Sequence, residues 1–257
     1  MIPYFTTSII IITIKLLTQG NLNIDNPVTS ISYIKMFYLP EAGYFLWFIW
    51  ALWWMFVIIP LIKYKKGRIT FFFISLIIHF LPIHLPKEFC FDQCKNMLVF
   101  FMFGILSYEN KWLNKIITKL SCQKTIITIL LFIIAEYYHF TKINNPIIYQ
   151  IINIILPYLG ILFVVEISKV ICNIKFSKNN FIMIVSSSSY IIYLFHTTFE
   201  GFAKAIFSKL ALGNSFGYIF LFEAFVIITS GIVIPIILYK YILNRCSTTK
   251  YLFGLSK

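Results

Sequence analysis

Ser186, Ser189, Tyr193 and His196 recur at a three-four-three spacing, which on a helix brings two aliphatic hydroxyls, a phenol and an imidazole onto one face. They belong to the run Ser186-Ser187-Ser188-Ser189-Tyr190-Ile191-Ile192-Tyr193-Leu194-Phe195-His196, set inside an otherwise apolar stretch of membrane length. An ionisable group at membrane depth is costly to keep, so such a histidine marks a functional site by default. Small hydroxyl residues along a face also let a second helix approach closely. The phenol and imidazole would then point into the bundle and not into lipid. The competing reading is a polar packing stripe in which His196 only anchors the helix near the outer interface.

Other candidates are weaker. Glu136 and His139 lie one turn apart and read as an interfacial pair beside Lys142. Glu223, inside the last apolar segment, should face protein or water. His79 and His84 flank Pro82 and read either as buried donors or as cavity lining. Glu41 reads as an exposed loop acid, and Lys15 as a snorkelling end residue. The stretch Tyr44-Phe45-Leu46-Trp47-Phe48-Ile49-Trp50-Ala51-Leu52-Trp53-Trp54 holds four tryptophans, more than an interfacial belt needs. Trp47, Trp50 and Trp54 share a helical face that either walls a pocket for a sugar or acyl chain or simply packs. The cluster Lys63, Lys65, Lys66 and Arg68 suits the phosphates of a nucleotide-type cofactor, or else only sets topology. No phosphate-binding glycine loop, nucleophile elbow or HExxH motif occurs, and no metal site is expected.

Composition states what must position these groups. Of 257 residues, 60% are hydrophobic, 19% aromatic and 12% charged, with a mean hydropathy of +0.85. Soluble chains are about one-quarter charged, so this is an all-α polytopic membrane bundle. The net charge of +13 does not point to nucleic acid, because the lysines cluster between apolar stretches. No signal peptide is visible.

By the span rule of roughly 20 apolar residues, about eight segments qualify. They are Ile2–Leu17, Tyr44–Ile62, Ile69–Leu85, Met97–Tyr108, Ile126–Phe140, Ile147–Ile167, Phe181–Phe199 and Phe216–Leu243. The last contains Gly231 and Pro235 and should tilt or kink. Basic-rich and basic-poor connections alternate. The rich ones hold Lys63 to Arg68; Lys111, Lys115, Lys119 and Lys124; Lys169, Lys175 and Lys178; and Lys240, Arg245, Lys250 and Lys257. The poor ones hold Lys35; Lys87 and Lys95; Lys142; and Lys204 and Lys209. The positive-inside rule puts the rich loops, Met1 and the C-terminus in the cytoplasm. Cys122, Cys172 and Cys246 fall on that side, where thiols stay reduced. Cys90 and Cys94 share an external loop and would pair only if that side is oxidising and a turn forms. No internal repeat or soluble domain interrupts the chain, so residues 1–257 read as one integral-membrane domain.

Two stretches together resemble the membrane-bound acyltransferase 3 family, which includes sugar O-acetyltransferases of bacterial surface polysaccharides. Tyr44-Phe45-Leu46-Trp47-Phe48-Ile49-Trp50-Ala51-Leu52 is similar to the family's WFLWAL-type helix. Ser188-Ser189-Tyr190-Ile191-Ile192-Tyr193-Leu194-Phe195-His196 is similar to its S-x-x-IYL-x-H helix. Asn96-Met97-Leu98-Val99-Phe100-Phe101-Met102-Phe103-Gly104 agrees more loosely. The resemblance implies acetyl-CoA or another acyl-CoA as cytoplasmic donor, with no bound cofactor, and a hydroxyl of a cell-surface polysaccharide or lipid-linked sugar as acceptor. It implies a multi-pass protein of the inner (plasma) membrane. A base near the reacting hydroxyl would take its proton as the thioester is attacked, and donors would hold the oxyanion. On that reading His196, Tyr193 and Ser189 are the catalytic candidates; Trp47, Trp50 and Glu223 bind substrate; Lys65, Lys66 and Arg68 bind the donor. Met1-Ile2-Pro3-Tyr4 resembles the start of the family's third helix. The expectation is therefore that the family's first pair of helices, with its arginine and base histidine, lies outside this chain, through truncation, a mis-called start or a split gene. An inactive remnant and a polysaccharide transporter or flippase are the alternatives.

Overall fold

The computed structural model describes residues 1–22, 24, 26–81, 83–112, 122–141, 146–173, 180–209 and 218–255. Lys115, Lys119, Lys142, Lys175, Lys178, Lys257, Pro82 and Phe216 lie outside that set, as do the side chains of Cys122, Lys124 and Cys172. The secondary structure of the described residues is helical, with no strand among them. The principal helices are α1 (Ile2–Thr18), α2 (Trp47–Ile58), α3 (Lys65–Phe80), α4 (Phe91–Glu109), α5 (Cys122–Phe140), α6 (Pro146–Asn173), α7 (Asn180–Lys209) and α8 (Tyr218–Leu238). Short helices at Ser32–Lys35 and Ser247–Leu252 supplement them. The segments Tyr44–Leu61, Glu88–Glu109, Ile151–Lys169, Ile182–Lys209 and Ile219–Leu243 are long and apolar enough to cross a membrane; Ile2–Thr18 and Thr125–Phe140 are shorter apolar helices. The expected all-α membrane bundle is what forms, because in lipid every backbone polar group must be satisfied within its own segment.

The segment ends differ from expectation for identifiable reasons. α3 stops at Phe80 and not Leu85 because Leu81, which precedes proline, is extended (φ −70°, ψ 131°). α3 also begins earlier, so Lys65, Lys66 and Arg68 are its first turns and not a loop. α4 likewise starts at Phe91, ahead of the expected Met97. Cys90 and Cys94 therefore sit at a helix start, not in an open loop, and both are buried free thiols in this structure. α7 runs ten residues beyond the expected Phe199, to Lys209. α8 carries Pro235, which lacks the N–H that would bond one turn back, and continues as a π-helical turn over Tyr239–Leu243.

The chain forms two compact units. The first comprises Met1–Lys63, His84–Leu98 and Ile184–Lys257; the second comprises Tyr64–Ile83 and Val99–Met183. In the first unit, Tyr4, Ile11 and Ile12 of α1 meet Leu46 and Trp50, and Ile191, Leu194 and Phe195 of α7. Both spacings trace one helical face. Tyr4 donates its hydroxyl to Met36 O at 2.7 Å, which ties α1 to the connection that follows it. In the second unit, Phe132 of α5 stacks on Phe163 of α6 at 5.2 Å, and Tyr158 packs on Phe100 and Phe103.

Candidate functional site

The first unit assembles a site where a 3₁₀ turn, Tyr44–Leu46, leads into α2 beside the middle of α7. Tyr193 donates its hydroxyl to Phe45 O at 2.7 Å. The Phe45 ring then packs edge-on against Tyr193 (6.1 Å) and against His196 (5.5 Å). Gly43 makes this fold-back possible, since a Cβ there would run into the Phe45 ring. His196 Nδ1 lies 2.9 Å from Tyr193 O and 3.1 Å from Ile192 O. Carbonyl oxygens only accept, so in these contacts Nδ1 is the donor, and Nε2 is the nitrogen left to carry a lone pair when the ring is neutral. The backbone of α7 thus selects the tautomer of its own histidine.

Beside this cluster lies a cavity of about 470 Å³. Ile11, Ile14 and Lys15 of α1 form one wall; Thr197, Thr198, Gly201, Lys204 and Ser208 of α7 form another; Ala42 to Phe45 close it. Phe45 is shared: it lines the cavity and touches both Tyr193 and His196. The half-buried Lys15 donates to Asn26 O at 3.3 Å, so it lines the cavity as well as marking the end of α1.

The expected site residues separate into groups. Tyr193 and His196 come together. Ser189 is exposed two turns earlier, and the buried serine is Ser188, whose hydroxyl donates back to Ile184 O at 2.7 Å. Trp50 is only 5% exposed and packs on Tyr4, Trp53 and Phe89, so its faces are filled by protein. Trp54 donates to Phe89 O at 3.1 Å, and Trp47 packs on Phe48. None of Trp47, Trp50 and Trp54 lines this cavity, whose aromatic lining is Tyr44, Phe45 and Phe202. Glu223 is half-buried on α8 and does not line the cavity. Glu41 is half-buried and paired with Lys35 at 3.0 Å, not a fully exposed loop acid.

In the second unit, Lys65 and Lys66 are exposed on the first turn of α3, whereas Arg68 forms an ion pair with Glu109 of α4. His79 is half-buried against Phe100, and His139 stacks on Tyr149 while Glu136 stays exposed; His84, which belongs to the first unit, is exposed. The sequence reading passed over Glu166, which is 3% exposed and accepts from Thr128 Oγ1 at 3.2 Å. It also passed over Glu200 and placed Lys204 in a connection; both continue the His196 spacing, by four and eight residues, and extending the stripe past His196 would have put them on the helix.

A family model described as an acyltransferase domain matches residues 1–240. No curated protein and no solved structure matches the chain.

Proposed function

The chain belongs to the acyltransferase 3 family and is a membrane acyltransferase, and from that premise we propose that it moves an acetyl or similar acyl group from acyl-CoA to a hydroxyl of a cell-surface polysaccharide or lipid-linked sugar. The observation that supports the reading is the contact of His196 Nδ1 with the Tyr193 carbonyl, next to a cavity of substrate size whose lining includes its ring neighbour Phe45 but not His196 itself. A neutral imidazole whose Nδ1 hydrogen is held by carbonyls presents Nε2 as a base, the form required to take a proton from a sugar hydroxyl.

On this reading the acceptor oxygen bonds to the thioester carbonyl carbon as its proton passes to Nε2. The tetrahedral adduct then loses CoA as the C–S bond breaks, and the imidazolium returns the proton to the departing thiolate. Tyr193 and Phe45 hold the ring edge in place, so they are positioning residues. Lys65 and Lys66, cationic and exposed on α3, are the proposed contacts for the phosphates of CoA; Arg68 is committed to Glu109. Protein placement in the inner (plasma) membrane, with the basic-rich connections toward the CoA pool, fits the same scheme.

Membranes holding the protein, supplied with acetyl-CoA labelled in its acyl group, are expected to label extractable glycan. Label that stays in CoA and free acetate, at equal protein level, would remove the reading.

A further inference from the structure

We propose that Thr197, Thr198 and Gly201 of α7 form the acceptor-binding wall of the cavity beside His196: the two hydroxyls bond to hydroxyls of a saccharide, and the missing side chain of Gly201 sets the size of the unit admitted. This rests on the acyl-transfer reading and names the residues that choose the acceptor for that site. All three line the cavity of about 470 Å³, a volume within the usual range for ligand sites. Helix threonines in this chain commonly turn the hydroxyl back to a carbonyl one turn earlier, as Thr6, Thr13, Thr18 and Thr229 do at 2.6 to 3.1 Å. Thr197 and Thr198 make no hydrogen bond among the described residues. The carbonyl one turn before Thr197 is Tyr193 O, which His196 Nδ1 already engages at 2.9 Å. A hydroxyl both donates and accepts, so each threonine can pair with a sugar hydroxyl in either sense.

Gly201 lies one turn beyond Thr197, on the same helical face. A Cβ there would meet no atom within 4 Å, so protein packing does not demand glycine. Glycine inside a helix costs stability relative to alanine. What it leaves here is room for a ligand against the α7 backbone. Tyr44, Phe45 and Phe202 supply aromatic lining on which the apolar face of a sugar ring packs. Sidedness favours an acceptor over the donor. The end of α1, the start of α2 and the end of α7 all adjoin the basic-poor connections, the non-cytoplasmic ends by the positive-inside rule.

The test measures binding to the full-length protein in nanodiscs, without acyl-CoA. The probe is glycan extracted from the source cells, de-O-acylated in mild alkali to free its hydroxyls, and tagged with a fluorophore. The same glycan after periodate cleavage of its diols is the control. Wild type is expected to bind the intact glycan and not the cleaved one. The Thr197→Val, Thr198→Val double variant keeps the shape and should weaken binding by about tenfold, the loss of two hydrogen bonds. The Thr197→Ser, Thr198→Ser double variant should retain it. Gly201→Leu should weaken binding at least as much. Thermal midpoints should not fall in any of these, since the altered groups make no bond or contact within the protein. No binding by wild type, equal binding of cleaved glycan, or affinity indifferent to the Val and Leu variants overturns the proposal. Acyl transfer from labelled acetyl-CoA is read separately on the same samples, where the Val and Leu variants should raise KM for glycan and leave KM for acetyl-CoA unchanged. Transfer whose glycan KM ignores these residues sinks this inference alone, whereas threonine-dependent binding without any transfer sinks the acyl-transfer reading and leaves a saccharide site.

Discussion

His196 donates its Nδ1 hydrogen to carbonyls one turn back, at 2.9 and 3.1 Å, and keeps Nε2 as its basic nitrogen. A substitution that preserves the donor and removes the base separates geometry from chemistry. Asn at this position offers an amide N–H near the place of Nδ1 and nothing basic beyond it. Tyr193→Phe tests the neighbouring contact. It removes the 2.7 Å bond to Phe45 O, and the expected loss of stability is about 1 kcal/mol. Because the same bond fixes the ring beside His196, acyl transfer should fall further than stability does; equal small losses in both would mean Tyr193 only packs. The pairing of Tyr193 with His196 was legible from the three-residue step between them. The cavity was not, because its α1 and α7 walls are remote in sequence and only the folded chain brings them together.

Elements explain why those residues hold their places. The 3₁₀ turn Tyr44–Leu46 lets the Phe45 ring fold back over Gly43. Gly43→Ala puts a methyl group into that ring and must push it off Tyr193 and His196. Strongly reduced transfer, restored in part by Gly43→Ala combined with Phe45→Leu, is the expected outcome; an unchanged rate in Gly43→Ala would show that the ring position does not matter. At the other side of α7, Gly231 accommodates the Glu200 side chain. Gly231→Ala should destabilise the solubilised protein by about 1–3 kcal/mol through overpacking. Shortening the opposing chain with Glu200→Ala should recover part of that loss, a coupling that a double-mutant cycle of unfolding reads directly. The eight helices were legible from apolar runs alone. Their ends were not, since Lys95, Lys204 and other charged residues continue helices that hydropathy cuts short. The tryptophan stripe stayed open between pocket wall and packing for a related reason: helical spacing reports a shared face but not whether protein or ligand fills it.

For the molecule as a whole, the alternation of basic-rich and basic-poor connections predicts a cytoplasmic C-terminus. Cys246 is exposed just past the last span, while Cys90 and Cys94 are buried. In a Cys122→Ser, Cys172→Ser background, an impermeant maleimide should label Cys246 only when the cytoplasmic face is accessible. Labelling of Cys246 in intact cells would reverse the topology. The backbone N–H groups of Thr248 and Thr249 lower the Cys246 thiol below its ordinary value of 9.0. Since the thiolate is the reactive form, labelling should rise with pH and reach its half-maximum below that of an unperturbed exposed thiol.

Acyl transfer by the purified protein in nanodiscs, from labelled acetyl-CoA to an oligosaccharide or lipid-linked sugar acceptor, compared between wild type and His196→Asn, tests the central claim most directly. The account predicts covalently labelled glycan with the wild type and a loss of about 100-fold or more in rate with the variant, while Cys90 and Cys94 stay protected in both. A His196→Asn protein that folds and transfers acyl groups at the wild-type rate would contradict it.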